Sequence, residues 1–413
     1  MTDSGGGVLR EIFTCEVCGA ASPPSVLDLG THPLCDDLVP IGDTRICREY
    51  PIEILFCERC LTAHQRFQVP KHELFPPEYH YRARHTADVI DGMRELVDSC
   101  AARLGDLHGK TILDIGCNDG SLLSIFAEKG ARGFGVEPTS AWREAEARGH
   151  TVINDFFGPE VARAFLARHG SPDIVTFTNV FAHIEILGEV LAALETLKHP
   201  ATAIVIENHY LGAVLEKFQF DTFYHEHPRT YSYASFACIG DRLGMRIGHV
   251  EFPARYNGNI RVFYTPRGHG EAHAAPDGLH EREATFGAGL RAMARKIGPW
   301  RAGKRAEIEN AVAARGKLRA KAFPGRAAIP IKLLGLDADL IAAAYEKPQS
   351  AKLGHYIPGT RIPIVSDDAF DAARETGPVL NLAWHITDEI RAYMRRRGYK
   401  GDFIDIIAPE DIA

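Results

Sequence analysis

Residues 217–232 of the chain read KFQFDTFYHEHPRTYS and gather Asp221, Tyr224, His225, Glu226, His227, Arg229 and Tyr231 into one run. So many acid–base groups suit chemistry better than packing, since each buried one would need a partner. A histidine of ordinary pKa, about 6.5, is partly neutral at about pH 7 and can take a proton from a carbon acid or a hydroxyl. A neighbouring carboxylate such as Glu226 can fix its tautomer and stabilise the imidazolium. His225 and His227 both qualify as the base. The plainer alternative is a polar surface loop.

A second set of reactive side chains is paired by spacing. Cys15-x-x-Cys18 and Cys57-x-x-Cys60 are two knuckles, each able to place two thiolates on one face of a metal. Together they predict a closed four-sulfur site for structural Zn²⁺, with no position left open for catalysis. A redox Cys-x-x-Cys would be single and would open a helix. Thirty-eight residues separate Cys18 from Cys57, so the ribbon carries an insertion, in which Cys35 and Cys47 are spare.

These groups need a scaffold, and Thr111–Glu137 (TILDIGCNDGSLLSIFAEKGARGFGVE) supplies its centre. It reads as a buried strand, a turn with Gly116 and Gly120, a helix, and a strand ending in Glu137. Ligands of open parallel sheets bind at such strand tips, where Glu137 can accept two hydrogen bonds from ribose hydroxyls. Asp-x-Gly-x-x-x-Gly differs from the dinucleotide fingerprint. It resembles motif I of the class I S-adenosylmethionine (SAM) methyltransferases, with Glu137 closing motif II. The resemblance implies SAM binding by Asp114, Gly116, Asn118, Gly120 and Glu137. Strand Thr151–Ile153 ends in Asn154-Asp155, where the family places a side chain near the adenine, here Asp155. The tip Thr178–Ile184 resembles motif IV, which implies that Asn179 and His183 border the methionine end; His183 alternatively caps a helix. Ala203–Glu207 is the next strand, with Asn208, His209 and Tyr210 at its tip. Alternating strands and helices predict a doubly wound α/β sheet.

Lys71–Thr86 (KHELFPPEYHYRARHT) crowds Tyr79, His80, Tyr81, Arg82 and His85 behind a Pro-Pro break. It reads either as a lid, whose phenols and imidazoles reach a polar substrate, or as a half-buried connection. Residues 86–104 have helical spacing (Val89, Met93, Leu96, Val97, Leu104).

Tyr224-x-Glu226-His227, with Phe220-Asp221 before it and Ser232 after it, resembles the active-site stretch of nucleotide-diphosphosugar C-methyltransferases. These SAM enzymes methylate carbon 3 of 4-keto deoxysugars. The four cysteines, DIGCNDG, FDTFYHEH and YIPGTRIPI occur in the family's order over nearly the whole chain. The resemblance implies that His227 removes the proton next to the ketone, that Tyr224 and Glu226 position the substrate, and that Tyr79 or Tyr81 reaches it from the lid. It further implies substrate contacts from Asn208 and Arg261. In the last domain, Lys352, Tyr356, Thr360 and Arg361 of the Pro358-Gly359 turn region would meet the diphosphate, the plainer alternative for the basic groups being exposed surface; Trp384 either stacks on the base or packs in the core. Two stretches depart from the family pattern. Pro228-Arg229-Thr230-Tyr231 replaces an aromatic run, and Arg255–Asn259 replaces a His-Gly-Gly-type turn. Gly325–Pro330 is too poor in glycine for a phosphate cradle.

Composition sets outer bounds. A net charge of −7 leaves no basic excess for nucleic acid. No apolar run approaches the ~20 residues of a membrane span, and MTDSGGGVLREIF lacks a signal pattern, so a cytoplasmic protein without membrane partners is expected. At 413 residues several domains are required. The expected division is zinc-binding 1–70, SAM domain 71–270 (lid 71–86), helical linker 271–320, and an α/β domain 321–413. The expected fold is thus α/β: a central class I SAM-methyltransferase (Rossmann-like) sheet, an N-terminal zinc-binding domain and a C-terminal α/β domain. The expected function is C-methylation of a dTDP-, GDP- or CDP-linked 4-keto-deoxysugar, releasing S-adenosylhomocysteine (SAH), by a monomer or homodimer. The alternatives are O- or N-methylation of another polar metabolite, or a non-catalytic binding module.

Overall fold

The structure, a computed structural model, describes residues 8–77, 79, 81–85, 87–267, 275–372 and 374–412. His80 of the tyrosine-rich stretch lies outside them. Clustering of contacts gives two compact units, each assembled from three segments. One comprises Met1–Ser25, Leu55–Val214 and Glu226–Gly287; the other Val26–Ile54, Leu215–His225 and Ala288–Ala413. The expected boundaries followed chain order, whereas these units interleave. The insertion between the knuckles clusters with the C-terminal residues because Val39–Pro40 pairs antiparallel with His355–Tyr356.

The first unit is built on seven strands: β1 (Thr111–Ile115), β2 (Arg132–Val136), β3 (Thr151–Ile153), β4 (Ile174–Thr178), β5 (Ala203–His209), β6 (Met245–Glu251) and β7 (Asn259–Pro266). Their order is β3-β2-β1-β4-β5-β7-β6. The first five run parallel, and β7 runs antiparallel to both β5 and β6. This is the class I SAM-methyltransferase sheet. Chain order reverses between β1 and β4, so a crevice opens at their carboxyl ends. Helix α1 (Ala87–Leu104) buries Val89, Met93, Leu96, Val97 and Cys100 against Ile112, Ile174, Val205 and Phe263 of the sheet. Its apolar stripe is the one that the sequence spacing predicts.

The second unit holds five parallel strands: β8 (Leu318–Lys321), β9 (Ile341–Glu346), β10 (Ile364–Ser366), β11 (Val379–Asn381) and β12 (Phe403–Asp405), ordered β10-β9-β8-β11-β12. A long helix, Phe286–Arg315, precedes them where a helical linker was expected. No helix among the described residues is long and apolar enough to cross a membrane.

Candidate active site

The β1–α2 turn, with α2 spanning Ser121–Glu128, shapes the crevice. Gly116 has φ +68°, and a Cβ there would sit 2.6 Å from Val180 Cγ2. Gly120, at φ +76°, is the N-cap of α2 and leaves no room for a side chain beside Ala145 and His150. Only glycine combines those angles with those approaches. Glu137 is buried at the tip of β2. Its Oε1 accepts from the Thr139 N–H and hydroxyl (2.9 and 2.6 Å), and its Oε2 accepts from the Asn118 N–H (2.9 Å). A carboxylate has about four lone-pair sites, so the donor set leaves capacity for a ribose hydroxyl. Asp114 lies deeper. It accepts from the Thr176 hydroxyl at 2.7 Å, and burial raises its pKa to about 7. Asp155 is exposed and bonds the Phe156 N–H; its neighbour Asn154 donates to the Glu137 carbonyl.

Residues 81–84 of the tyrosine-rich stretch bond to this turn. Asn118 donates to the Tyr81 carbonyl and accepts from the Ala83 N–H, while Asp119 accepts from the Arg84 N–H. Arg82 pairs with Glu144 at 2.7 Å. The Tyr79 hydroxyl donates to Glu226 Oε2 at 3.1 Å, whereas Tyr81 is largely exposed.

Three imidazoles converge here. The His183 ring lies 4.8 Å from that of His227, and the His209 ring 5.8 Å from it. His183 stands on the turn after β4, packs on Phe75 and lies 3.9 Å from Glu226 Oε2; burial lowers its pKa to about 4, which keeps it neutral. Beneath them, Glu207 at the tip of β5 is fully buried. It accepts from Arg261 Nε (2.7 Å) and Asn259 Nδ2 (2.9 Å), and Asn259 Nδ2 also reaches Asn179 Oδ1. Arg261 is thereby bound into the sheet, with Glu251 on its other nitrogen. The Asn208 amide is buried with no partner among the described residues, an arrangement that suits a ligand.

The four cysteines also belong to the first unit. Their sulfurs all lie within 4.8 Å of one another, with Cys15–Cys60 at 3.4 Å and Cys18–Cys57 at 3.5 Å. A tetrahedral zinc with Zn–S bonds of about 2.3 Å needs sulfurs about 3.8 Å apart, so the residues fit the metal. His64 Nε2 lies 3.2 Å from Cys15 Sγ, and burial holds that ring neutral, which suits a donor to a thiolate.

The remaining expected site residues fall in the second unit, where they have intrachain partners. His225 packs on the Tyr50 ring, its Nε2 is 3.0 Å from the Tyr50 carbonyl, and burial lowers its pKa to about 4. Tyr224, half-buried, precedes it. Arg361 donates to the carbonyls of Asp43, Thr44 and Arg45; the Tyr356 hydroxyl accepts from the Gly42 N–H; and Thr360 bonds Ile357 and Ile362. Lys352 reaches the Phe323 carbonyl. Trp384 Nε1 donates to Asp221 Oδ2 at 2.9 Å, and Arg326 grips both oxygens of that carboxylate at 2.6 and 2.8 Å. Asp221 thus occupies a cationic clamp of the kind that binds anions.

Comparison with known proteins places the chain. Residues 15–75 match a zinc binding domain family, 81–250 a methyltransferase domain family, and 256–407 the C-methyltransferase C-terminal domain family. The C-methyltransferase NovU of Streptomyces niveus is 30% identical over 391 residues, covering 93% of this chain and 92% of that protein. The chain belongs to the C-methyltransferase family. This C-methyltransferase is also 31% identical over 122 residues to an uncharacterized methyltransferase of Mycobacteroides abscessus, covering 29% of the chain and 44% of that protein. Magnesium protoporphyrin IX methyltransferase from Synechocystis PCC 6803 with bound SAH shares 20% identity at a TM-score of 0.33, covering 43% of this chain and 84% of its own. The enzyme is SAM-dependent and carries a zinc-binding four-cysteine cluster.

Sequence reasoning did not single out His209, Phe75 and Glu207, which the structure sets beside His227, His183 and Arg261 respectively. His209 and Glu207 stand at a strand tip, a signal in itself. Phe75 precedes a Pro-Pro break and carried no such mark.

Proposed function

We propose that this enzyme methylates the carbon next to the ketone, C-3, of a nucleotide-diphosphate-linked 4-keto-deoxysugar, with His227 as general base. The observation that carries the reading is the cluster of His183, His209 and His227 with the Glu226–Tyr79 hydrogen bond, within the unit that contains the SAM crevice. SAM, when bound, supplies an electrophilic methyl group for that carbon. His227 Nδ1 or Nε2 takes the carbon-bound proton, and the C–H electron pair moves toward the ketone oxygen. A hydrogen-bond donor such as the Asn208 amide, in the same unit, stabilises that oxygen as charge develops on it. Glu226 holds Tyr79, and Asn208 offers its amide to the sugar. His225 is spent on Tyr50, which favours His227 as the base. Gly116, Gly120, Asn118 and Glu137 hold the cofactor, with Asn179 and His183 at its reactive end. The intrachain bonds of Lys352, Tyr356, Thr360, Arg361 and Trp384, with Arg326 over the Trp384 ring and Arg361 over the Tyr356 ring, support a role in shaping the second unit. A cytoplasmic enzyme, monomeric or homodimeric, that takes a small-molecule substrate completes the reading.

The test is incubation with SAM and dTDP-, GDP-, CDP- or UDP-linked 4-keto-6-deoxysugars in deuterated water, read by NMR and mass spectrometry. Deuterium entry next to the ketone and a C-methyl product are expected, both lost in His227→Asn with SAH affinity retained. An O- or N-methyl product without deuterium entry would overturn the reading.

A further inference from the structure

Arg229 is fully buried, yet the chemistry proposed above gives it no task. It stands where the family's aromatic run is interrupted, on the short strand Arg229–Thr230 that follows His227 directly. That strand pairs with Thr62–Gln65, with Arg229 opposite His64, the residue against Cys15. The Gln65 N–H donates to the Pro228 carbonyl at 2.9 Å, fixing the residue between His227 and Arg229. The guanidinium then reaches in three directions. Nε donates to the Tyr231 hydroxyl at 3.0 Å, Nη1 pairs with Glu16, and both terminal nitrogens approach the Glu185 carbonyl at 3.4 and 3.5 Å. Glu16 lies inside the first knuckle, between Cys15 and Cys18. Glu185 lies two residues after His183 on the same turn. Arg10 repeats the pattern from the opposite side, donating to Glu16 (2.7 Å) and to the Glu185 carbonyl (2.7 Å), and Gln68 donates to Glu16 at 3.0 Å. The second knuckle is tied in separately: the Ser235 and Ser232 hydroxyls, which cap the following helix, bond the Cys60 carbonyl at 3.1 and 3.4 Å.

We infer that Arg229 is a positioning residue: with Glu16 it makes the cysteine knuckle the abutment against which the His183 turn and the His227 strand are set. A guanidinium suits this task because its planar fork serves several acceptors in fixed directions, which a lysine cannot reproduce. The four-sulfur site then does more than hold the N-terminal segment together. It fixes the distance between the two imidazoles, whose rings lie 4.8 Å apart. The relevance to catalysis rests on the His227 assignment; the mechanical coupling does not.

The test compares wild type with Arg229→Met, Arg229→Lys and the double variant Glu16→Met/Arg229→Met. The readouts are zinc content, SAH affinity by calorimetry, hydrogen–deuterium exchange of peptides covering 183–187 and 226–231, and histidine imidazole NMR titration. Expected for Arg229→Met is exchange at least tenfold faster in both peptides and a shifted His227 titration. One zinc per chain and SAH affinity within twofold of wild type are expected to remain. Arg229→Lys should restore only part of the protection. If Arg229→Met does not fold, the double variant also removes the Glu16 carboxylate that has lost its buried partner, and the same faster exchange is expected there. Wild-type protection of both peptides in a folded variant lacking Arg229 would overturn the inference. An active His227→Asn enzyme would instead remove the base assignment and leave the exchange result standing.

Discussion

Replacing Arg326 by methionine tests how the second unit holds the segment that leads into the histidine motif. Asp221 is fully buried and receives two charge-assisted bonds from Arg326, at 2.6 and 2.8 Å, and one neutral bond from Trp384. Methionine fills much of the same volume but leaves the carboxylate with Trp384 alone. Coulomb attraction of opposite charges about 4 Å apart at an effective dielectric of about 20 is about 4 kcal/mol. Loss of one partner of a buried pair costs about 3–5 kcal/mol, in line with that figure. At about 1.4 kcal/mol per tenfold, local opening of residues 218–225 should become roughly a hundredfold to several thousandfold more frequent. Hydrogen–deuterium exchange of that peptide reads this directly. Asp221→Leu combined with Arg326→Met should recover part of the protection, because no charge is then left unpaired. Exchange within threefold of wild type in Arg326→Met would refute the reasoning and reduce the clamp to an incidental contact.

Three further outcomes are expected. Cys57→Ser should lower zinc, measured by inductively coupled plasma mass spectrometry, from one per chain to well below that, and should expose the first unit to proteolysis at 8–25. Glu137→Ala should weaken SAH binding by about tenfold to a hundredfold in calorimetry, as for loss of a hydrogen bond to a charged group worth about 1.5–3 kcal/mol. Burial depresses the pKa values of His183 and His225 from 6.5 to about 4. Between those values the unfolded chain binds protons that the folded chain refuses, so stability is full above about pH 6.5 and falls as pH drops toward 4. Each histidine contributes a slope of about 1.4 kcal/mol per pH unit in that window. His225→Gln should flatten urea-unfolding stability against pH by that amount, and an unchanged slope would count against the burial argument.

The sheet, the four-cysteine cluster and the glycine turn between β1 and α2 were legible in the sequence because each is a local code. Two Cys-x-x-Cys pairs, glycines at left-handed positions and apolar runs ending in acids report themselves within a few residues. Partnership over long separations does not. Sequence showed His225 and His227 as near equals, and only the fold turns one toward Tyr50. The intrachain partners of Arg361 and Trp384, Asp43 to Arg45 and Asp221, lie far away in the chain and leave no local mark beside them. Arg229 looked like a break in a motif until its burial beside Glu16 was seen.

The interleaving of the two units has a consequence for the order in which the protein matures. Arg361 is 318 residues downstream of Asp43, whose carbonyl it binds. At synthesis rates of about 5–20 residues per second, the insertion between the knuckles waits about 15–60 s for its partners to be made. The four zinc-binding sulfurs are all available by residue 60. In that interval Cys35 and Cys47, buried in the finished protein, are as open to metal as the knuckles flanking them. Prompt loading of the correct four sulfurs is therefore a kinetic matter, decided by the short Cys-x-x-Cys loops closing faster than any pairing that involves the insertion.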